Sequence, residues 1–176
     1  MKFGKAWLKK VREPSRIEDP RIVVCEIPSG SRCKYELDKR TGHLELGRIM
    51  STDCVYPTNY GFIPNTLSSD GMELDVLIIT SEPLLPLTTV EVHIIGGFTL
   101  MEQRKPKEHK LLAVATKDPS VRAITDLDAI DRKQIDRIEH FFTTYKLVED
   151  IKVDFIGWGK RIDALAWLAK ARDQAR

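Results

Sequence analysis

Two periods of apolar residues divide the chain. Up to about residue 120 the apolar positions come in short runs or alternate with polar ones, the period of strands. Ile22 to Ile27 is rich in β-branched residues and stops at Pro28-Ser29-Gly30-Ser31, which predicts a strand closed by a turn. A second strand is expected over Cys33 to Asp38, with Lys34 and Glu36 on one face and Tyr35 and Leu37 on the other. The break Lys39-Arg40-Thr41-Gly42 turns it into a third, His43 to Ile49, as a hairpin. Further strands are expected at Asp75 to Thr80, Thr89 to Ile95 and Leu111 to Thr116. No helix of crossover length separates them, so the expected pairing is antiparallel.

The period then changes to that of a helix. Within Asp131 to Lys146, residues Ile135, Ile138, Phe142 and Tyr145 share a face, and Arg132, Lys133, Asp136 and Arg137 fill the other. A short strand, Ile151 to Ile156, is expected to lead through the turn Gly157-Trp158-Gly159 into a final helix with apolar positions Ile162, Leu165, Ala166 and Ala169. The chain shows no internal repeat or interdomain linker. The expected class is therefore mainly β with two helices (α+β): one domain over residues 21–176, a closed or nearly closed barrel with two helices packed against it. Residues 1–20 read as a basic arm, since residues 1–21 carry seven Lys/Arg against three acids. Such an arm is either solvated or touches an anionic partner.

Composition narrows the function classes without choosing one. Hydrophobic content of 42% and charged content of 31% are those of a globular chain of 176 residues, and a net charge of +2 selects no partner. Cys25, Cys33 and Cys54 are odd in number and lack C-x-x-C spacing, so neither a disulfide framework nor a zinc knuckle is expected. With no apolar run long enough to span a bilayer and no secretory pattern in Met1 to Val11, the expected location is cytoplasmic. A mitochondrial transit segment is weakened by Glu13, Glu18 and Asp19. His43, His93, His109 and His140 lack metalloprotease spacing, Gly157-Trp158-Gly159 is no dinucleotide fingerprint, and Ser29 and Ser31 form no nucleophile elbow.

What remains is acid and base chemistry. Asp70-Gly71-Met72-Glu73-Leu74-Asp75 sets three carboxylates beside an apolar strand, where they repel one another unless a hard cation lies between them. Upstream, Tyr56-Pro57-Thr58-Asn59-Tyr60-Gly61-Phe62 reads as a rigid loop presenting hydroxyls outward. Together with Glu26, Lys34, Glu36, Arg48, Glu102, Glu108, Lys110, Tyr145 and Lys146, these residues combine hard-metal ligands with anion donors, the equipment for metal-assisted phosphoryl transfer to water.

At these residues the chain resembles a family I soluble inorganic pyrophosphatase. The likeness lies in Val24-Cys25-Glu26-Ile27-Pro28, Lys34-Tyr35-Glu36-Leu37-Asp38, Arg48-Ile49-Met50-Ser51-Thr52, the run from Tyr56 to Leu67, and His140-Phe141-Phe142 with Tyr145-Lys146. It implies an OB-like five-stranded barrel flanked by C-terminal helices, Mg²⁺ as cofactor, hydrolysis of diphosphate to two phosphates, and a homo-oligomer, a hexamer by likeness to bacterial relatives. It also implies that Lys34, Arg48, Tyr60, Lys110, Tyr145 and Lys146 bind diphosphate or phosphate. Asp70 and Asp75 would hold metal, with Glu26 and Glu36 close by and Glu102 and Glu108 as further metal positions. Tyr56 would lie against the cluster.

The departures matter as much. The family pattern D-G-D-P-x-D becomes Asp70-Gly71-Met72-Glu73-Leu74-Asp75, and Met72 replaces the middle aspartate that orients or deprotonates the attacking water. Glu102-Gln103 and Glu108 stand where the family has shorter aspartates. Glu73 becomes a catalytic candidate only if the loop turns it inward. Two other readings stay open: a weakly active or inactive relative that binds diphosphate or another phosphorylated ligand, and an OB-like interaction module using the basic arm.

Overall fold

A computed structural model of the protein describes residues 21–50, 53–103 and 105–176, so the basic arm lies outside the described residues. Among the described residues are eight strands: β1 (Arg21–Ile27), β2 (Cys33–Asp38), β3 (His43–Ile49), β4 (Asn59–Ile63), β5 (Leu74–Ile79), β6 (Thr89–Glu102), β7 (Glu108–Ala115) and β8 (Val153–Lys160). Two α-helices, α1 (Arg132–Thr144) and α2 (Arg161–Gln174), accompany them among the described residues.

The strand order β1-β4-β5-β7-β6 closes on itself through a further β1–β6 pairing, which makes the five-stranded ring. Four of its pairs are antiparallel and β5–β7 is parallel, contrary to the all-antiparallel expectation. Parity is the reason: strand direction must reverse at every antiparallel pair, so a ring with an odd number of strands cannot close without a parallel pair. β6 is twice the length read from the sequence because Gly96-Gly97, which looks like a break, continues the strand. Its first half pairs with β1 and its second with β8.

Period-two alternation buries both faces of the ring. On β5, Leu77 and Ile79 pack with Ile135, Ile138, Phe141 and Phe142 of α1, while Val76 and Ile78 pack with Ala164, Leu168 and Ala171 of α2. Asp131 caps α1 by accepting from the Lys133 N–H at 2.8 Å. The buried face of α2 differs from the expected one, and Ile162 is exposed. Gly157-Trp158-Gly159 is not a turn but the last part of β8, paired with Gly97 to Thr99 of β6, and the indole of Trp167 fills the space a Cβ on Gly159 would need.

The largest correction concerns Tyr56 to Phe62. Its second half is β4, a strand with every residue buried, and its phenols point into the protein rather than outward. Asn59 and Gly61 suggested a loop, yet each serves the packed strand. The Asn59 side-chain oxygen accepts from the N–H groups of Ser29 at 3.0 Å and Leu84 at 2.8 Å, tying two loops to the barrel. Gly61 lets β1 approach, since a Cβ there would stand 1.8 Å from the Val24 carbonyl oxygen. Gly61→Ala is expected to force β1 and β4 apart and cost about 3 kcal/mol or more, read from urea unfolding midpoints.

Candidate active site

The same alternation that buries the apolar faces brings the polar residues together. Odd-numbered positions of β5 and even-numbered positions of β7 share the α1 side of the sheet, so Asp75 continues the line of Leu77, and Glu108 and Lys110 that of Leu112. Beyond the apolar part of that face the ring opens into a cavity of 450 Å³. Glu26 of β1, Lys34 and Glu36 of β2, Arg48 of β3, Tyr56, Tyr60 of β4, and Asp70, Glu73 and Asp75 all line it. So do Glu102 of β6, Glu108 and Lys110 of β7, and Tyr145 and Lys146 just past α1. Every residue singled out from the sequence therefore meets in one space. Lys39, Lys105 and Glu149 also line it and were missed; they lie in turns or loops, where charged residues carry no signal of direction.

Lys110 is the centre of the arrangement. Its ammonium is almost fully buried and donates to the Tyr60 hydroxyl at 3.0 Å, to Asp75 Oδ2 at 2.6 Å and to Glu108 Oε1. It also lies 5.7 Å from the Phe142 ring centroid and 5.6 Å from that of Tyr60. Burial works against its charge, but Asp75, Tyr60 and Glu108 more than offset this and hold its pKa well above the usual lysine range. Burial likewise pushes the phenols of Tyr56 and Tyr60 up, so both are neutral hydrogen-bonding groups.

Glu36, Glu73, Glu102 and Glu149 find cationic partners too. Glu102 lies between Lys105 and Lys146, which outweigh its burial and hold it below the ordinary glutamate range. Lys34 pairs with Glu36 at 2.6 Å, Lys39 with Glu73, and Arg48 with Glu149. The Arg48 guanidinium also sits 5.5 Å from the Tyr145 ring centroid, and its buried Nε has no hydrogen-bond partner. Two carboxyls are less comfortable. Burial raises Glu26 to about 7, with Asp75 and Glu36 adding repulsion against the Leu37 N–H and Lys39. Burial and Asp75 raise Glu108 against the pull of Lys110.

The family model described as inorganic pyrophosphatase matches residues 23–176. The chain belongs to the inorganic pyrophosphatase family. Among relatives, it is 39% identical over 148 residues to soluble inorganic pyrophosphatase 5 of Arabidopsis thaliana, covering 82% of this chain and 68% of that one. It is 37% identical over 138 residues to the inorganic pyrophosphatase of Halalkalibacterium halodurans, covering 77% and 84%. The solved inorganic pyrophosphatase of Helicobacter pylori superposes with a TM-score of 0.88 at 32% identity, covering 93% of this chain and 97% of that one. The structure from Thermus thermophilus gives 0.88 at 31% identity, covering 93% and 95%.

Membership in this pyrophosphatase family implies a divalent metal cofactor. Among the described residues no three carboxylate, histidine or cysteine side chains converge on one point. The donor set nonetheless fits: every acidic group is a hard oxygen ligand, and Glu26 and Glu108, raised first by burial and further by Asp75, are carboxylates whose charge a divalent cation would stabilise.

The folded pKa of Glu26, about 7, exceeds its ordinary 4.5, so the folded state binds the proton more tightly. Stability from this group is complete below 4.5 and is lost as pH rises towards 7. With divalent ions chelated, Glu26→Gln keeps an oxygen for the Leu37 N–H, which Glu26 accepts at 2.8 Å. Urea midpoints should show the variant gaining on wild type by on the order of 2 kcal/mol between pH 5 and pH 8.

Proposed function

We propose that the protein hydrolyses inorganic diphosphate to two phosphates with Mg²⁺ as its divalent cation. The observation carrying this reading is one cavity that holds hard carboxylates together with Lys34, Arg48, Lys110, Tyr145 and Lys146, in a chain of the inorganic pyrophosphatase family. Asp70, Asp75, Glu26, Glu36, Glu102 and Glu108 would hold the metal, which when bound neutralises phosphoryl oxygens and lowers the pKa of water.

The chain's own residues would do the rest. Lys34, Arg48, Tyr145 and Lys146 grip the anion, and the unpartnered Arg48 Nε is a donor ready for a phosphate oxygen. Lys110, fixed by Tyr60, Asp75 and Glu108, meets charge at a set position rather than by reorienting. Tyr56, buried against Tyr60 and Phe141, walls the site. Water attacks one phosphorus, the bridging P–O bond breaks, and the leaving phosphate takes the bridging oxygen.

Glu73 is the residue to receive the water's proton. Alternation places it two positions before Asp75 and on the same side, with Leu74 buried on the other. Its side chain is 19% exposed, whereas Met72 is 58% exposed at the cavity mouth. Three cysteines, odd in number and without C-x-x-C spacing, support a cytoplasmic location. The family resemblance supports a homo-oligomer.

Phosphate release from diphosphate with Mg²⁺ tests this assignment. Glu73→Gln is expected to lower kcat by about 10²- to 10⁴-fold, and Met72→Asp to change it by less than about tenfold. A rise of two decades in Met72→Asp would instead place the missing base at residue 72, and no release by any form would leave only a binding role.

A further inference from the structure

The anion-binding groups Lys34 and Arg48, with Glu36, stand on the β2–β3 hairpin, which forms a sheet of its own and shares no ladder with the ring. Something other than backbone pairing must therefore set their distance from the carboxylates on β5. Leu37 packs with Val24 and Phe62, and its N–H donates to Glu26. Arg48 pairs with Glu149 near the other end. The turn itself is anchored by Lys39. Its ammonium pairs with Glu73 and lies 5.3 Å over the Phe62 ring centroid. Its side chain is 36% exposed, against 82% for its neighbour Arg40, so this turn lysine is folded back towards Glu73 and Phe62 and only partly solvated.

We propose that Lys39 is a positioning residue for diphosphate hydrolysis: by clamping the hairpin turn to Glu73 and Phe62, it sets the span between Lys34 and Arg48 on one side and Asp75 and Glu73 on the other. This rests on the diphosphatase reading of the cavity. A lysine suits the task because one ammonium can meet a carboxylate and an aromatic face together, and both contacts strengthen as water is excluded. Because Lys39 acts through the hairpin, its loss should weaken the grip on the anion more than the chemical step.

The test compares wild type with Lys39→Met and Lys39→Arg in the full chain. With divalent ions chelated, hydrogen exchange in Lys39→Met should rise about tenfold at hairpin amides 33–49 and stay unchanged in β6 and β7. With Mg²⁺ added, KM for diphosphate should rise about five- to tenfold while kcat stays within about threefold, and Lys39→Arg should restore both. Unchanged hairpin exchange overturns the proposal, as does a rise spread equally over the ring, which is general loss of stability. A fall in kcat at constant KM also overturns it, placing the effect on Glu73 and the water. If wild type releases no phosphate, the diphosphatase reading fails separately. Calorimetric binding of inorganic phosphate then decides the clamp: weaker binding in Lys39→Met supports it and equal binding overturns it.

Discussion

A buried ammonium joins three strands of the ring. Lys110 of β7 reaches Asp75 of β5 and Tyr60 of β4, and Glu108 of its own strand closes the group. A charge with so little exposed surface is tolerated only because its partners outweigh the desolvation, and removing the ammonium would leave Asp75 and Glu108 facing each other uncompensated. The group therefore fixes relative strand position on the α1 side of the sheet while pointing charge at the cavity. Structure and chemistry draw on the same contacts.

The ring makes this possible. Five strands close only with a parallel pair, and that pair is β5–β7, the two strands that carry Asp75, Glu108 and Lys110. The long β6 spans the closure, pairing with β1 at one end and β8 at the other, and Gly97 lets it lie close against β7. Opposite this rigid half stands the β2–β3 hairpin, held by side chains rather than by a ladder. The cavity thus has one wall set by backbone pairing and another set by contacts such as those of Leu37, Lys39 and Arg48.

The acidic segment from Asp70 to Asp75 shows how substitution and geometry interact. Met72 removes a carboxylate from a position near the mouth, yet Glu73 has the strand parity that faces the cavity. Parity is a backbone property and is indifferent to which acid was lost. Longer glutamates at 102 and 108 reach lysines, Glu102 the Lys146 just past α1 and Glu108 the Lys110 of its own strand, so the extra methylene is absorbed by ion pairing rather than left in solvent.

Most strands, both helices and the membership of the polar set were legible in the amino-acid order, because alternation, helical spacing and carboxylate crowding are local properties. The inward turn of Tyr56 and Tyr60 was not, since Asn59 and Gly61 carry a loop signal that only the approach of β1 overrules. Nor could the buried face of α2 be read, where small residues at 164 and 171 give a weak apolar stripe. By itself the sequence determined which side chains share a face and what chemistry they can perform. Tertiary structure decided which faces meet, because strand order, the parallel closure and the pairing of Lys39 with Glu73 depend on contacts between residues far apart along the chain.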